Sequence, residues 1–236
     1  MIEEPYRWLD AISNRREYIR DQLKGGTPAF AVSRPEGILL LGVGQGQSKV
    51  FEIYDRLGLV ALGHPVDIEK LRQAAIEAAH LEGFNRSSRD VTLRRLISFA
   101  LSSMLKNAFE QIFAPPIIAE SIFAELGDTQ AHDNLARLHY DGDHSYATSA
   151  VLVAHRDSAA EVEAGEWISK NLAPGDPLPK VASVCLAAGQ LLNEGKSFQG
   201  VSLSEPQLQI PGKVIESALL DRQKPGPVHY RRLELK

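Results

Sequence analysis

Ala29-Phe30-Ala31-Val32, Ile38-Leu39-Leu40-Leu41, Val50-Phe51-Glu52-Ile53 and Leu57-Gly58-Leu59-Val60-Ala61-Leu62 follow one another between residues 29 and 62. Each run is short and apolar. Arg34-Pro35-Glu36-Gly37 separates the first two, and Asp55-Arg56 separates the last two. Proline fixes the backbone angle of the first turn, so strands are predicted on either side of it. The fourth run is apolar throughout, as a strand covered on both faces is.

Outward from this stretch the period changes. Residues 7–24 read as a helix, with Leu9, Ile12, Ile19 and Leu23 on one face and Arg16, Arg20 and Lys24 on another. Gly25-Gly26 is expected to end it in the left-handed conformation. Downstream, a helix is predicted from Val66 to Glu82 with Gly83 as its stop. A second runs from Asp90, as cap, to Phe113, before Pro115-Pro116. Strands follow at 117–126, 135–140 and 150–154, with Asp141-Gly142 as a tight hairpin turn. Helices are predicted at 157–172 and 177–194, and closing strands at 214–220 and 228–233. Residues 197–212 have no period and read as loop.

The order is strands, two helices, strands, two helices, strands. Strand and helix do not alternate one by one, which disfavours a doubly wound parallel sheet. Two antiparallel sheets face to face, each covered outside by a helix pair, bury the apolar strands and the helix faces together. The expectation is an α+β, four-layer αββα sandwich over 27–233 with an extra N-terminal helix, all of 1–236 forming a single domain.

Composition sets the outer limits. The chain has 236 residues, 44% hydrophobic and 24% charged, with 30 acidic against 26 basic side chains and a formal charge of −4. Those values fit an ordinary globular protein and argue against a general nucleic-acid binder. No run of about 18 apolar residues predicts a membrane span. Met1-Ile2-Glu3-Glu4-Pro5 lacks an apolar signal core, so a cytoplasmic location is expected. The single cysteine, Cys185, sits in an apolar helix and reads as a buried structural thiol.

Three stretches invite chemistry. Gly42-Val43-Gly44-Gln45-Gly46 follows a strand as a dinucleotide loop does, but Ser48-Lys49-Val50-Phe51 continues as strand where that loop must open a helix. It reads as a turn, and a nucleotide-binding α/β domain is the weakest alternative. His139, Asp141, Asp143 and His144 form the only local cluster of ligand types, and hairpin-turn chemistry accounts for it, so no metal is assigned. No cofactor is assigned either. Thr27 stands after Gly26 at the start of the first strand, where cleavage would release a threonine nucleophile with its own amine as base. Against that reading stand Pro28, the substantial helix before it, and the lack of any acid between Glu36 and Glu52.

Several segments resemble a known family. Glu17-Tyr18-Ile19-Arg20-Asp21-Gln22-Leu23-Lys24-Gly25-Gly26 is similar to the N-terminal helix of proteasome α-type subunits. Ser48-Lys49-Val50-Phe51-Glu52-Ile53-Tyr54-Asp55-Arg56, then Gly63, resembles their third-strand signature in its bacterial form. Gly83-Phe84-Asn85-Arg86-Ser87-Ser88-Arg89-Asp90-Val91-Thr92 resembles the loop entering their second long helix. Leu220-Asp221-Arg222, Pro225 and Tyr230-Arg231-Arg232-Leu233 resemble the bacterial C-terminus.

The resemblance implies the sandwich shared with N-terminal nucleophile hydrolases and a non-catalytic role. Such subunits form heptameric rings that cap rings of threonine-protease β subunits. They restrict the entry of unfolded protein substrates and dock an ATPase or activator ring through its C-terminal tails. Lys49 follows Thr27 by 22 residues, fewer than in the family's catalytic members. The resemblance gives Lys49 the carboxylate of an activator tail to bind, with Gly63 leaving room and Asp21 standing where the family usually has glutamate. A charge-assisted hydrogen bond of this kind contributes roughly 1.5–3 kcal/mol, and several equivalent pockets on one ring multiply its effect. Met1, Ile2, Glu3, Glu4, Pro5, Tyr6, Arg7 and Trp8 are then the gate segment. The enzyme alternative, a threonine-type hydrolase cut at Gly26, differs by the mass of the mature chain.

Overall fold

A computed structural model gives the three-dimensional structure; it describes residues 5–147, 149–155, 157–201 and 212–234. Chain order runs α1 (Pro5–Leu23), β1 (Ala29–Arg34), β2 (Gly37–Gly44), β3 (Val50–Tyr54), β4 (Leu57–Gly63) and α2 (Pro65–Asn85). Then come α3 (Leu93–Leu96), α4 (Ser102–Glu110), β5 (Ala119–Glu125), β6 (Asn134–Leu138), β7 (His144–Tyr146) and β8 (Val151–Ala154). The chain closes with α5 (Ser158–Lys170), α6 (Leu178–Glu194), β9 (Val214–Asp221) and β10 (Tyr230–Leu233).

The strands form two antiparallel five-stranded sheets, ordered β10-β9-β2-β1-β8 and β3-β4-β5-β6-β7. Strand alternation divides the apolar side chains into layers. On β1 and β2, Phe30, Val32, Leu39 and Leu41 face α5 and α6, while Ala31, Ile38 and Leu40 face the other sheet. On β4, Leu59 and Ala61 face α2–α4, while Val60 and Leu62 face inward. Three apolar layers between four structural ones make the αββα sandwich that the strand–helix order predicts. The all-apolar β4 is covered on both faces for that reason.

Local details depart from the sequence expectation. Leu9 is 67% exposed, because α1 meets the inter-sheet layer only further along, through the partly buried Ile12 and the buried Ile19 and Leu23. Arg15, outside both predicted stripes, is buried, and its guanidinium donates to the carbonyls of Ala108 in the last turn of α4 and of Ile112 and Ala114 just beyond it. Gly25 and Gly26 are not left-handed. α1 ends in a tightened turn, with Gly26 N–H donating to Leu23 O at 3.0 Å, and a Cβ on Gly26 would sit 3.0 Å from Leu62 Cδ1. Glycine is there for close approach.

Gly83 does not stop α2. It lies inside the helix, where a Cβ would fall 2.4 Å from the Tyr54 hydroxyl. The helix predicted from Asp90 to Phe113 is capped instead by Thr92, whose hydroxyl accepts from Arg95 N–H, and it carries a π-helical turn at Ile97–Leu101 before ending at Glu110. At the predicted hairpin, Gly142 takes φ +83° and Asp141 accepts from Asp143 N–H, which is turn chemistry. Of the predicted loop at 197–212, residues 202–211 lie outside the described residues, as do Met1–Glu4 of the expected gate segment. Its remaining residues, Pro5–Trp8, belong to the first turns of α1, which begins two residues earlier than predicted.

Candidate functional site

Antiparallel order brings the C-terminal ends of β2 and β4 and the N-terminal ends of β1, β3 and β9 to one end of the sandwich. Thr27, two residues before β1, and Lys49, one before β3, meet there. Lys49 Nζ donates to Thr27 Oγ1 at 3.0 Å, and Thr27 Oγ1 donates in turn to the Val43 carbonyl. Thr27 is buried and Lys49 half-buried. Among the described residues no carboxylate forms an ion pair with the Lys49 ammonium.

The glycines before Lys49 have a use that the sequence did not disclose. Gly42 and Gly44 are strand residues of β2, not part of a loose turn. A Cβ on Gly42 would lie 3.1 Å from Lys49 Cβ, and one on Gly44 3.6 Å from Lys49 Cε. Their missing side chains form the trough in which the lysine stem lies.

Burial is the main influence lowering the Lys49 pKa from its ordinary value, and the nearby Lys213 ammonium adds to it; Glu216 acts in the opposite sense. Glu216 comes from β9, where it faces Gly42. Its carboxylate accepts from the backbone N–H groups of Lys49 (2.6 Å) and Val50 (3.2 Å), so it orients the start of β3 rather than the ammonium. Neither Glu216 nor Lys213 carries a local signal, since both approach through a sheet pairing more than 160 residues away in sequence.

Gly63 shares this end. It follows Ala61, whose N–H donates to Lys49 O, by two residues. At φ +139°, with a would-be Cβ 2.2 Å from Ile118 O, glycine is required there by the close approach of the segment entering β5. Asp21 is on the solvent face of α1, where it pairs with Lys24. The structure therefore brings Lys49 and Gly63 together with Thr27, and leaves Asp21 at the margin.

The other candidates resolve more simply. The predicted buried thiol is found: burial of Cys185 within α6 pushes it from 9.0 up to about 12. Arg16, Arg20 and Lys24 are exposed. Asp143 accepts from His144 N–H and His139 N–H donates to Asp143 O within the turn, while His139 Nδ1 lies 3.0 Å from Glu120 and Asp141 pairs with Arg16 outside it. No helix of the described residues is long and apolar enough to cross a membrane.

A four-layer α+β sandwich with a hydroxyl–lysine pair at one end is thus defined by fold and site. Comparison with known proteins gives the family. The chain is 30% identical over 226 residues to the proteasome subunit alpha of Actinosynnema mirum, covering 94% of this chain and 81% of that protein. It is likewise 30% identical over 228 residues to that of Nocardioides sp., covering 94% and 82%, and over 214 residues to that of Renibacterium salmoninarum, covering 89% and 81%. No protein-family model matches the chain. The chain belongs to the proteasome α-subunit family.

Proposed function

We propose that this chain is the non-catalytic outer-ring subunit of a bacterial-type proteasome core, forming a heptameric ring stacked on β subunits in the cytoplasm. It restricts the entry of unfolded proteins through residues 1–8 and docks an ATPase or activator ring by receiving C-terminal carboxylates at Lys49, beside Gly63 and with Asp21 at the margin. The observation that carries this reading is the half-buried Lys49 ammonium, which has a neutral hydroxyl for its partner and no paired anion among the described residues. An incoming carboxylate supplies the missing charge, and a partly desolvated site strengthens that interaction.

A non-catalytic role is supported by what Thr27 and α1 already do. The Thr27 hydroxyl is committed to Val43 O and Lys49 Nζ. Release of a threonine amine at residue 27 would discard Ile19 and Leu23 from the inter-sheet core and Arg15 from the end of α4. The carboxylate of Glu216, beside Lys49, is held by two backbone N–H groups instead of serving a nucleophile.

The test is degradation of an unfolded substrate by the assembled core with its ATPase. Lys49→Ala is expected to leave assembly intact and abolish ATPase stimulation. Unchanged stimulation overturns the docking role, and a purified chain whose intact mass lacks the first 26 residues overturns the non-catalytic one.

A further inference from the structure

One helix face is left uncovered. α2 buries Ile68, Leu71, Ala75 and Ala79 in the layer it shares with the second sheet, α3 and α4. On its other side Val66, Lys70, Gln73, Glu77, Leu81 and Phe84 recur every three or four residues, and all six are exposed. Val66 is 56%, Leu81 63% and Phe84 90% exposed, so the stripe is apolar at both ends and polar in the middle. Single exposed apolar side chains are ordinary, but three aligned on one helix mark a contact surface.

The charges on and beside this stripe are mostly matched within the chain. Glu69 is held by Arg72 and Gln73, and Glu82 by Arg86 and Arg95. His80, at the edge, rests on the Tyr54 ring. Lys70 pairs with Asp67, but its side chain is 58% exposed, and a pair so open to solvent contributes little. Glu77 forms no ion pair among the described residues.

The stripe is complementary to itself. Turned end for end about a two-fold axis between Gln73 and Ala74, it sets Lys70 against Glu77 and Val66 against Leu81, each twice. Phe84 then reaches Pro65 of the other copy. A shallow groove of about 550 Å³ runs along Pro65, Val66, Lys70 and Ala74, at the end of the helix where Leu81 and Phe84 arrive. Laid parallel, the same stripe would set Lys70 on Lys70 and Glu77 on Glu77, which like-charge repulsion disfavours.

We propose that α2 is a self-association surface on which a second copy of this chain packs its own α2 antiparallel. Leu81 and Phe84 of each copy enter the groove beside Val66 of the other, and Lys70 pairs with Glu77 across the axis. Apolar burial supplies the affinity, and the two reciprocal ion pairs fix the direction. The contact uses the same patch on both copies, unlike the head-to-tail contacts a ring needs, so it goes beyond the ring reading and does not depend on it.

The test combines disulfide trapping with sedimentation velocity on the full chain. Gln73→Cys, beside the axis, is expected to form an intermolecular disulfide at least about tenfold faster than Glu163→Cys, exposed on α5. Cys185 is buried and does not compete. Lys70→Glu and Glu77→Lys are each expected to weaken the two-fold association about fivefold or more, and the two together in one chain to restore it to within about twofold. Leu81→Asp is expected to weaken it about tenfold or more, with unchanged circular dichroism separating lost pairing from lost folding. The proposal is overturned if Gln73→Cys traps no faster than Glu163→Cys. It is overturned equally if the double reversal fails to restore association, the result given by a stripe that faces a different protein.

Discussion

Lys49 Nζ lies 3.0 Å from Thr27 Oγ1, and the same hydroxyl is anchored on Val43 O, so the two side chains from the starts of β1 and β3 form a single relay across the end of the sandwich. The hydroxyl fixes the ammonium without neutralising it. Among the described residues no carboxylate forms an ion pair with that charge.

Thr27→Val removes both of these bonds while keeping the side-chain shape. It leaves the Val43 carbonyl and a half-buried ammonium short of partners, and a loss of about 1–3 kcal/mol is expected in urea unfolding. Thr27→Ser is expected to retain most of that stability.

Gly42→Val places side-chain atoms where the Lys49 stem runs. The ammonium is then displaced from its trough, and binding of a synthetic activator C-terminal peptide is expected to fall about tenfold or more. Fluorescence anisotropy of the labelled peptide on the assembled core checks this. Gly63→Ala acts differently: the Ile118 carbonyl and the positive φ make it a folding lesion of about 2 kcal/mol or more, visible as a lowered melting temperature.

Arg137→Met leaves the buried Glu120 and the partly buried Glu161 without their shared guanidinium. A loss of about 3–5 kcal/mol in denaturant unfolding is expected. Adding Glu120→Gln and Glu161→Gln to the same chain is expected to recover much of it, since the buried charges leave together.

The Cys185 thiol is raised in the folded state from 9.0 to about 12. A group whose folded pKa is raised contributes stability in full below its unfolded pKa and loses it as pH rises toward the folded value. Stability is therefore expected to fall between about pH 9 and pH 12, and Cys185→Ala to flatten that limb. At pH 8 the native thiol is expected to resist iodoacetamide until denaturant opens the chain, as mass spectrometry of the alkylated protein would report.

Much of the architecture was legible because it rests on local pattern. The four apolar runs between residues 29 and 62 and the helical stretches at 66–82 and 177–194 each declare their burial within a few residues, and all became elements. Lys49 and Gly63 were singled out by family resemblance, and their lying at one end of the sandwich follows from antiparallel pairing. What was hidden depends on distant approach. Leu9 has the right period but nothing to pack on, while Arg15 has the wrong type for a core and caps carbonyls more than 90 residues away. Gly42 and Gly44 looked like a turn because only the fold reveals the lysine stem passing over them. Glu216 reaches β3 only once β9 is in place.

That last dependence bears on how the polypeptide comes off the ribosome. β9 lies between β2 and β10, and Ala218 and Leu220 share a layer with Ile19 and Leu23 near the other terminus. A nascent chain stalled before residue 214 therefore displays the β2 backbone edge and an inter-sheet layer short of Ala218 and Leu220. Such a fragment is sticky and unassembled, and this is the kind of product that cellular proteolysis clears. Only once the residues from 214 on are made does the β2 edge gain its partner, so β9 is the late strand on which closure of the first sheet waits.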